Sequence, residues 1–354
     1  MRPGVLFTML NSARIFAAKP AQPMPIQPPP PRPRDPLELL TAMQTGELPC
    51  SALQEPLLVL DAHRDWQDAA LHTWLRRLPC PVIALGGQDN ALSRACDLRL
   101  DDAAPLAALA ARVRRWPLAS TVLVQLLRLQ RHLPLEDALQ AESLAYATLQ
   151  GGVEYRRWLQ ERGTPEPLAD DEDGPELLLA RDDETLLLTL NRPQRRNSMT
   201  VAMRDALNEA LALVQADPGI TQVQLSARGK CFSTGGELRE FGSASDPASA
   251  HIIRSLTLPG RQLARVASRV QVQLHGACIG SGIEFPAFAA RLIARRDAWF
   301  QLPELQYGLI PGAGGTVSIA QRIGAQRLAW MVLSGKRIDA DTALAWGLVD
   351  AITD

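Results

Sequence analysis

Apolar and polar residues follow each other along this chain in several distinct rhythms, and the changes of rhythm mark its elements. Residues 185–190 are a short apolar run that predicts a strand, and residues 220–225 alternate as a second strand. Between them Met203, Leu207, Ala210, Leu211 and Val214 recur at helical spacing, Thr200 stands where it can cap that helix, and Pro218-Gly219 stops it. Strand, helix and strand in this order require a crossover and predict an α/β core. The same succession occurs upstream on a smaller scale, with strands expected at 57–60, 80–85 and 95–100 and a helix over 69–78. From 118 to 162 the spacing is helical throughout.

Two interruptions divide the chain. Gly163-Thr164-Pro165-Glu166-Pro167 and the charged run Asp170-Asp171-Glu172-Asp173-Gly174-Pro175 cannot pack into a core, so 164–175 reads as a linker between residues 51–163 and 176–354. The first 34 residues hold several arginines and no acidic residue, and 23–33 is rich in proline. Residues 1–50 therefore read as a disordered, polyproline-like tail; a targeting peptide within 1–34 is the alternative to a cytoplasmic protein.

Composition narrows the choice further. The 354 residues suffice for two domains, and a 46% apolar content can fill their cores. A net charge of −1 gives no reason to expect nucleic acid or an anionic membrane as partner. No run approaches the roughly eighteen apolar residues that a membrane span needs. Cys50, Cys80, Cys96, Cys231 and Cys278 form no C-x-x-C pair, and their odd number argues against a disulfide framework, so a reducing cytosol is the expected setting. The five histidines show no metal-ligand spacing.

Two glycine-rich stretches carry candidate chemistry. His275-Gly276-Ala277-Cys278-Ile279-Gly280-Ser281-Gly282-Ile283-Glu284, and Leu302-Pro303-Glu304 leading into Leu309-Ile310-Pro311-Gly312-Ala313-Gly314-Gly315-Thr316, each set one glutamate beside a glycine turn. Backbone N–H groups exposed in such turns can face an anion while the carboxylates move protons next to it. The 312–316 stretch is neither a Walker loop, since no lysine follows, nor a dinucleotide fingerprint, since its third glycine is missing. Ser281 is flanked by glycines, but a nucleophile elbow wants glycine two residues to each side, where Ile279 and Ile283 stand. His275 reads as a packed strand-end residue, and Met199 and Met203 read as core.

Five motifs occur in a fixed order: Leu190-Asn191-Arg192-Pro193 with Asn197; Gly229-Lys230-Cys231-Phe232-Ser233-Thr234-Gly235-Gly236-Glu237-Leu238; the two stretches above; and Leu333-Ser334-Gly335-Lys336-Arg337 with Ala345-Trp346-Gly347-Leu348-Val349. Over about residues 186–352 they resemble the catalytic core of the crotonase superfamily, the enoyl-CoA hydratase/isomerase family. The resemblance implies an α/β, crotonase-like fold whose ββα repeats form a spiral core, preceded here by a degenerate α/β and helical region. It implies an acyl-CoA thioester as substrate, no metal or redox cofactor, and a homo-oligomer, a trimer or hexamer. The activity implied is addition of water to a trans-2-enoyl-CoA through a thioester enolate. A Δ3,Δ2-enoyl-CoA isomerase or other crotonase-type lyase is one alternative, and a non-catalytic acyl-CoA-binding or assembly subunit is another.

Carried over residue by residue, the resemblance makes the backbone N–H groups of Gly236 and Ser281 the donors of an oxyanion hole, although the family usually has glycine at the second position. Glu284 becomes the base and Glu304 the proton donor, and Gly312 helps to hold the catalytic water. Ser281 is expected to open a helix whose dipole faces the same oxygen, with Glu284 in its first turn. Arg228, Lys230, Arg239 and Lys336 are the candidates for contacts with coenzyme A. Glu237, where the family commonly has Asp, reads as a polar wall or loop anchor. Upstream, Pro81-Val82-Ile83-Ala84 ahead of Gly86-Gly87, followed by Ala95-Cys96-Asp97-Leu98, resembles the same core with its catalytic turn worn away, since no glutamate lies between Gly86 and Asp101. Residues 134–162 resemble the helices into which the family usually continues after its Gly-Leu-Val motif. They are expected to supply that closing layer, within the chain or from a neighbouring subunit.

Overall fold

The computed structural model describes residues 29–52, 54–86, 89–166 and 174–354. It begins with α1 (Pro36–Thr45), whose start is set by the Asp35 carboxylate accepting the Leu37 N–H at 2.8 Å and by proline at the first helical position. This corrects the tail expected through residue 50: Leu39 and Ala42 are buried, and Arg34 pairs with the strand that follows. Residues 1–28, where the rest of that tail and the targeting alternative fall, lie outside the described residues, as does most of the 164–175 linker, at 167–173.

The upstream strand–helix succession forms a small parallel sheet in the order β1 (Leu58–Asp61), β2 (Val82–Leu85), β3 (Leu98–Leu100), joined by α2 (Ala69–Leu75) and α3 (Ala91–Arg94). Arg128 pins this sheet to the helices beyond it, donating to Asp97, to the Leu78 carbonyl and to the Cys80 carbonyl. Cys50 and Cys80 are joined in a disulfide with their Cα atoms 6.4 Å apart, while Cys96, Cys231 and Cys278 are free and buried. The expectation of no disulfide is thereby corrected: an odd count excludes complete pairing but leaves room for one bridge among five thiols. Four helices follow, α4 (Leu106–Arg115), α5 (Pro117–Gln130), α6 (Leu135–Gln150) and α7 (Val153–Arg162).

Beyond the linker, β4 (Leu177–Asp182) pairs antiparallel with β5 (Thr185–Leu190), and α8 (Val201–Ala216) crosses over to β6 (Gln222–Ala227). Thr200 Oγ1 caps α8 by accepting the Met203 N–H, and the five apolar positions of its stripe are all buried. Next come α9 (Pro247–Thr257), α10 (Pro259–Arg265), β7 (Val270–Leu274), β8 (Ala277–Ile279), α11 (Ser281–Glu284), β9 (Arg291–Arg295), β10 (Trp299–Gln301), α12 (Gly315–Ile323), α13 (Ala325–Ser334), β11 (Ile338–Asp339), α14 (Ala340–Trp346) and β12 (Ala351–Thr353).

One sheet has the order β12-β9-β7-β6-β5-β4 and a second has β11-β10-β8. Consecutive strands step between them, β7 to β8 and β9 to β10, each pair followed by a helix, in keeping with the ββα repeats that the resemblance implies. Register aligns Leu188, Leu225, Val272 and Leu292 in one row across four strands, and all four are buried. Helices α4 to α7 pack on this core and share a single apolar cluster with it, from Leu123 and Leu139 through Leu188 to Val349. Polar ties cross the same boundary: Arg112 donates to the Leu333 carbonyl, and Gln326 to the carbonyls of Ser93 and Cys96. No described helix is long and apolar enough to cross a membrane.

Candidate active site

The site forms where three stretches of chain run side by side. The Phe232 N–H donates to the His275 carbonyl and the Ser233 N–H to that of Ala277, while Ile279 donates back to Ser233. The Gly235 carbonyl accepts the Met199 N–H at 2.8 Å. These bonds lay Gly235-Gly236 beside Ile279-Gly280-Ser281, and the N–H groups of Gly236 and Ser281 donate to no described group. Because β10 pairs in parallel with β8 and the Gly280 N–H donates to the Gln301 carbonyl, the chain leaving β10 delivers Glu304 to the same place.

Two carboxylates therefore meet at one point. Gly280 has φ of +50°, and a Cβ built on it would lie 2.6 Å from Glu304 Oε1 and 3.9 Å from Glu284 Oε1, so only glycine lets both acids come so near the backbone. Glu284 Oε2 accepts the N–H groups of Ala313 and Gly315 at 2.8 and 3.1 Å. A Cβ at Gly315 would fall 2.5 Å from Glu284 Cγ, so that glycine too is required by the approach. Glu304 Oε2 is buried and has no hydrogen-bond partner. The acids are only 2% and 9% exposed, which overturns any reading of them as solvated surface carboxylates.

Burial pushes both carboxyls up from the ordinary range. Glu284 is raised further by the negative charges of Glu304 and Glu142, against the two main-chain N–H donors that favour its ionised form. Glu304 is pushed up to about 8, chiefly by burial. The pair thus holds a proton at pH values where isolated glutamates have lost theirs. The helix dipole expected at Ser281 contributes little, because α11 is a single turn of four residues.

Gly236, Ser281, Glu284, Glu304 and Gly312 line one cavity of about 200 Å³, together with Met199, which is therefore not simply core. It adjoins a second cavity of about 400 Å³, and Tyr146, Phe241 and Arg254 face both. A larger cavity of about 870 Å³, between β3 and α13, contains neither acid. The four candidates for coenzyme A contacts do not line the carboxylate cavity: Arg239 is spent on Glu237, Arg228 donates to Asn191, and Lys230 and Lys336 are exposed. Glu237 anchors its loop, accepting from Ser198 Oγ and from the Arg239 N–H as well. His275 bonds the Gly229 carbonyl away from the acids.

Three residues at the site come from outside the matched motifs. From α6, Glu142 accepts the Gly314 N–H at 2.7 Å, the Thr316 N–H at 2.9 Å and the Thr316 hydroxyl at 2.5 Å, holding the loop whose neighbouring N–H groups bind Glu284. Tyr146, one turn on, packs its ring against Gly312. Arg254 of α9 lies 4.1 Å from the centre of that ring and donates to Ser143 and Gln150. The sequence did carry a signal for Glu142, since Leu139, Glu142, Ser143 and Tyr146 share one helical stripe and a glutamate inside such a stripe is buried.

Comparison with known proteins bears on the family of the chain. The family model described as enoyl-CoA hydratase/isomerase matches residues 181–354. The chain is 32% identical over 168 residues to the mitochondrial enoyl-CoA hydratase of Pongo abelii, covering 47% of this chain and 57% of that enzyme. It is 30% identical over 177 residues to the 2,3-dehydroadipyl-CoA hydratase of Escherichia coli, covering 50% of this chain and 69% of that one. Among solved structures, an enoyl-CoA hydratase of Mycobacterium smegmatis aligns with a TM-score of 0.48 at 30% identity, over 51% of this chain and 70% of that one. The chain thus spans little more than half the length of the Pongo abelii enzyme. Its match to the family model and its identity to the Escherichia coli enzyme over more than two thirds of that protein make it a member of the enoyl-CoA hydratase/isomerase family.

Proposed function

We propose that this chain adds water to a trans-2-enoyl-CoA. The observation that carries the reading is the convergence of two buried carboxylates on a small cavity edged by the unused N–H groups of Gly236 and Ser281. The thioester oxygen accepts those two N–H groups, which stabilise the negative charge it gains as water attacks Cβ. Burial raises both acids, but Glu284 has two main-chain donors that favour its ionised form while Glu304 Oε2 has no partner, so within the pair Glu284 takes a proton from that water and Glu304 delivers its own proton to Cα. Gly312, on the cavity wall beside the acids, helps to hold the water. No sum of charge is left over, since one proton is taken and one is given. Shifting a double bond would need one acid rather than two, and a binding subunit would need neither, so the pair favours hydration.

Helices α6 and α7 take the part of the closing layer within the chain itself, and the assembly is read as a homo-oligomer, which light scattering on the purified protein tests. The activity test follows loss of the conjugated enoyl absorbance with crotonyl-CoA and longer trans-2-enoyl-CoAs. Wild type should hydrate at least one of them, and Glu284→Gln and Glu304→Gln should each lower kcat by about 10²–10⁴-fold. A wild type inert on the whole series ends the hydratase reading, and full activity in either variant ends the role given to that residue.

A further inference from the structure

We propose that the side-chain hydroxyl of Ser281 is a third donor to the thioester oxygen, working beside the main-chain N–H of the same residue. This rests on the oxyanion-hole reading above and deepens it. Ser281 is 8% exposed and lines the cavity that holds Glu284 and Glu304, yet its Oγ has no hydrogen-bond partner. Buried hydroxyls are nearly always paired, because leaving one unpaired sacrifices its bonds to water for nothing. Glu304 Oε2 is equally without a partner, so the acid and the hydroxyl do not satisfy each other.

The kind of group that enters is constrained by the hydroxyl's position. Ser281 is the first residue of α11, where its N–H is not used by the helix, and the N–H and Oγ of one serine are close enough to converge on a single acceptor. The surroundings do not supply a base for a nucleophile: among the described residues no histidine lines the cavity, and neither glutamate bonds the hydroxyl. A hydroxyl that only donates, and is already in place before reaction, adds stabilisation where negative charge develops without any later rearrangement.

The test uses the full chain and two ligands, acetoacetyl-CoA, which ionises to an enolate bearing charge on its thioester end, and butyryl-CoA, which cannot. Ultraviolet absorbance of bound acetoacetyl-CoA across pH gives the enolate fraction, and calorimetry gives both affinities. Ser281→Ala and Ser281→Gly should each lower the bound enolate-to-keto ratio about tenfold, with less than threefold change in butyryl-CoA affinity, and Ser281→Thr should restore part of the ratio. An unchanged ratio in both Ala and Gly variants, or equal losses for the two ligands, overturns the proposal. An enolate-to-keto ratio that does not depend on Ser281, in a protein that hydrates crotonyl-CoA, defeats this inference alone; a Ser281-dependent ratio in a protein inert on every enoyl-CoA defeats the hydratase reading alone.

Discussion

Replacing Glu142 with alanine tests how much the catalytic loop depends on a helix made far earlier in the chain. The variant strands three buried donors, the Gly314 N–H, the Thr316 N–H and the Thr316 hydroxyl. Each costs about 1–3 kcal/mol when left unpaired. Two effects reduce the sum: water can enter the space vacated, and removing the Glu142 charge relieves repulsion on Glu284 and Glu304. A net loss of about 3–5 kcal/mol in unfolding free energy is the expected balance. Activity should suffer separately, because Ala313 and Gly315 on the same loop orient Glu284, and a displacement of about 1 Å at reacting groups costs roughly 10²-fold. Glu142→Gln refines the test. With its oxygen at the Oε2 position it keeps both Thr316 bonds, but its amide nitrogen faces the Gly314 N–H, so about half the stability loss should remain. It also removes a charge that raises the proton donor, so the basic limb of the rate profile should move to lower pH. Urea unfolding and pH-dependent hydration rates on the three proteins read these effects. An alanine variant within about 1 kcal/mol of wild type with an unchanged kcat would refute the loop-clamp reasoning.

Two further outcomes follow from buried groups. Glu304 ionises near its usual value when unfolded but only at about 8 when folded, so the folded state binds more protons between those values and loses stability as pH rises through them; Glu304→Gln should melt roughly a few degrees above wild type at pH 9 and level with it at pH 5, and a constant difference across that range would refute the shift. The disulfide between Cys50 and Cys80 closes a loop of 30 residues, so reduction should lower stability by about 3.6 kcal/mol, and thiol titration of the denatured, unreduced chain should find three of the five cysteines free; five free thiols would contradict the bridge.

Much of the core was legible because its signals are local. The stripe of α8 and its Thr200 cap, the strands on either side, and the glycine turns around Glu284 and Glu304 are each written within a few residues. What was missed depends on contacts between distant segments. β4 is exposed along most of its length and shows little apolar periodicity, so its pairing with β5 could not be read from its own residues. Cys50 and Cys80 come together only once α1 packs beside the first sheet. Glu142 was within the pattern, but its destination at the start of α12 was not, because nothing local in α6 names a partner so far along the chain. The surface cations near the matched loops were picked by proximity in sequence, and proximity in sequence does not decide which side of a loop a long side chain takes.

The separation of 174 residues between Glu142 and Thr316 also shapes how the molecule comes into being. A nascent chain releases α6 long before its partner loop exists, so that helix carries an unmatched carboxylate on its apolar side through most of synthesis. Contacts this remote in sequence form slowly, since their reward arrives only after the intervening chain has been ordered. Competence for chemistry should therefore lag behind the appearance of secondary structure during refolding, with the two halves acquiring shape first and the acid pair settling last.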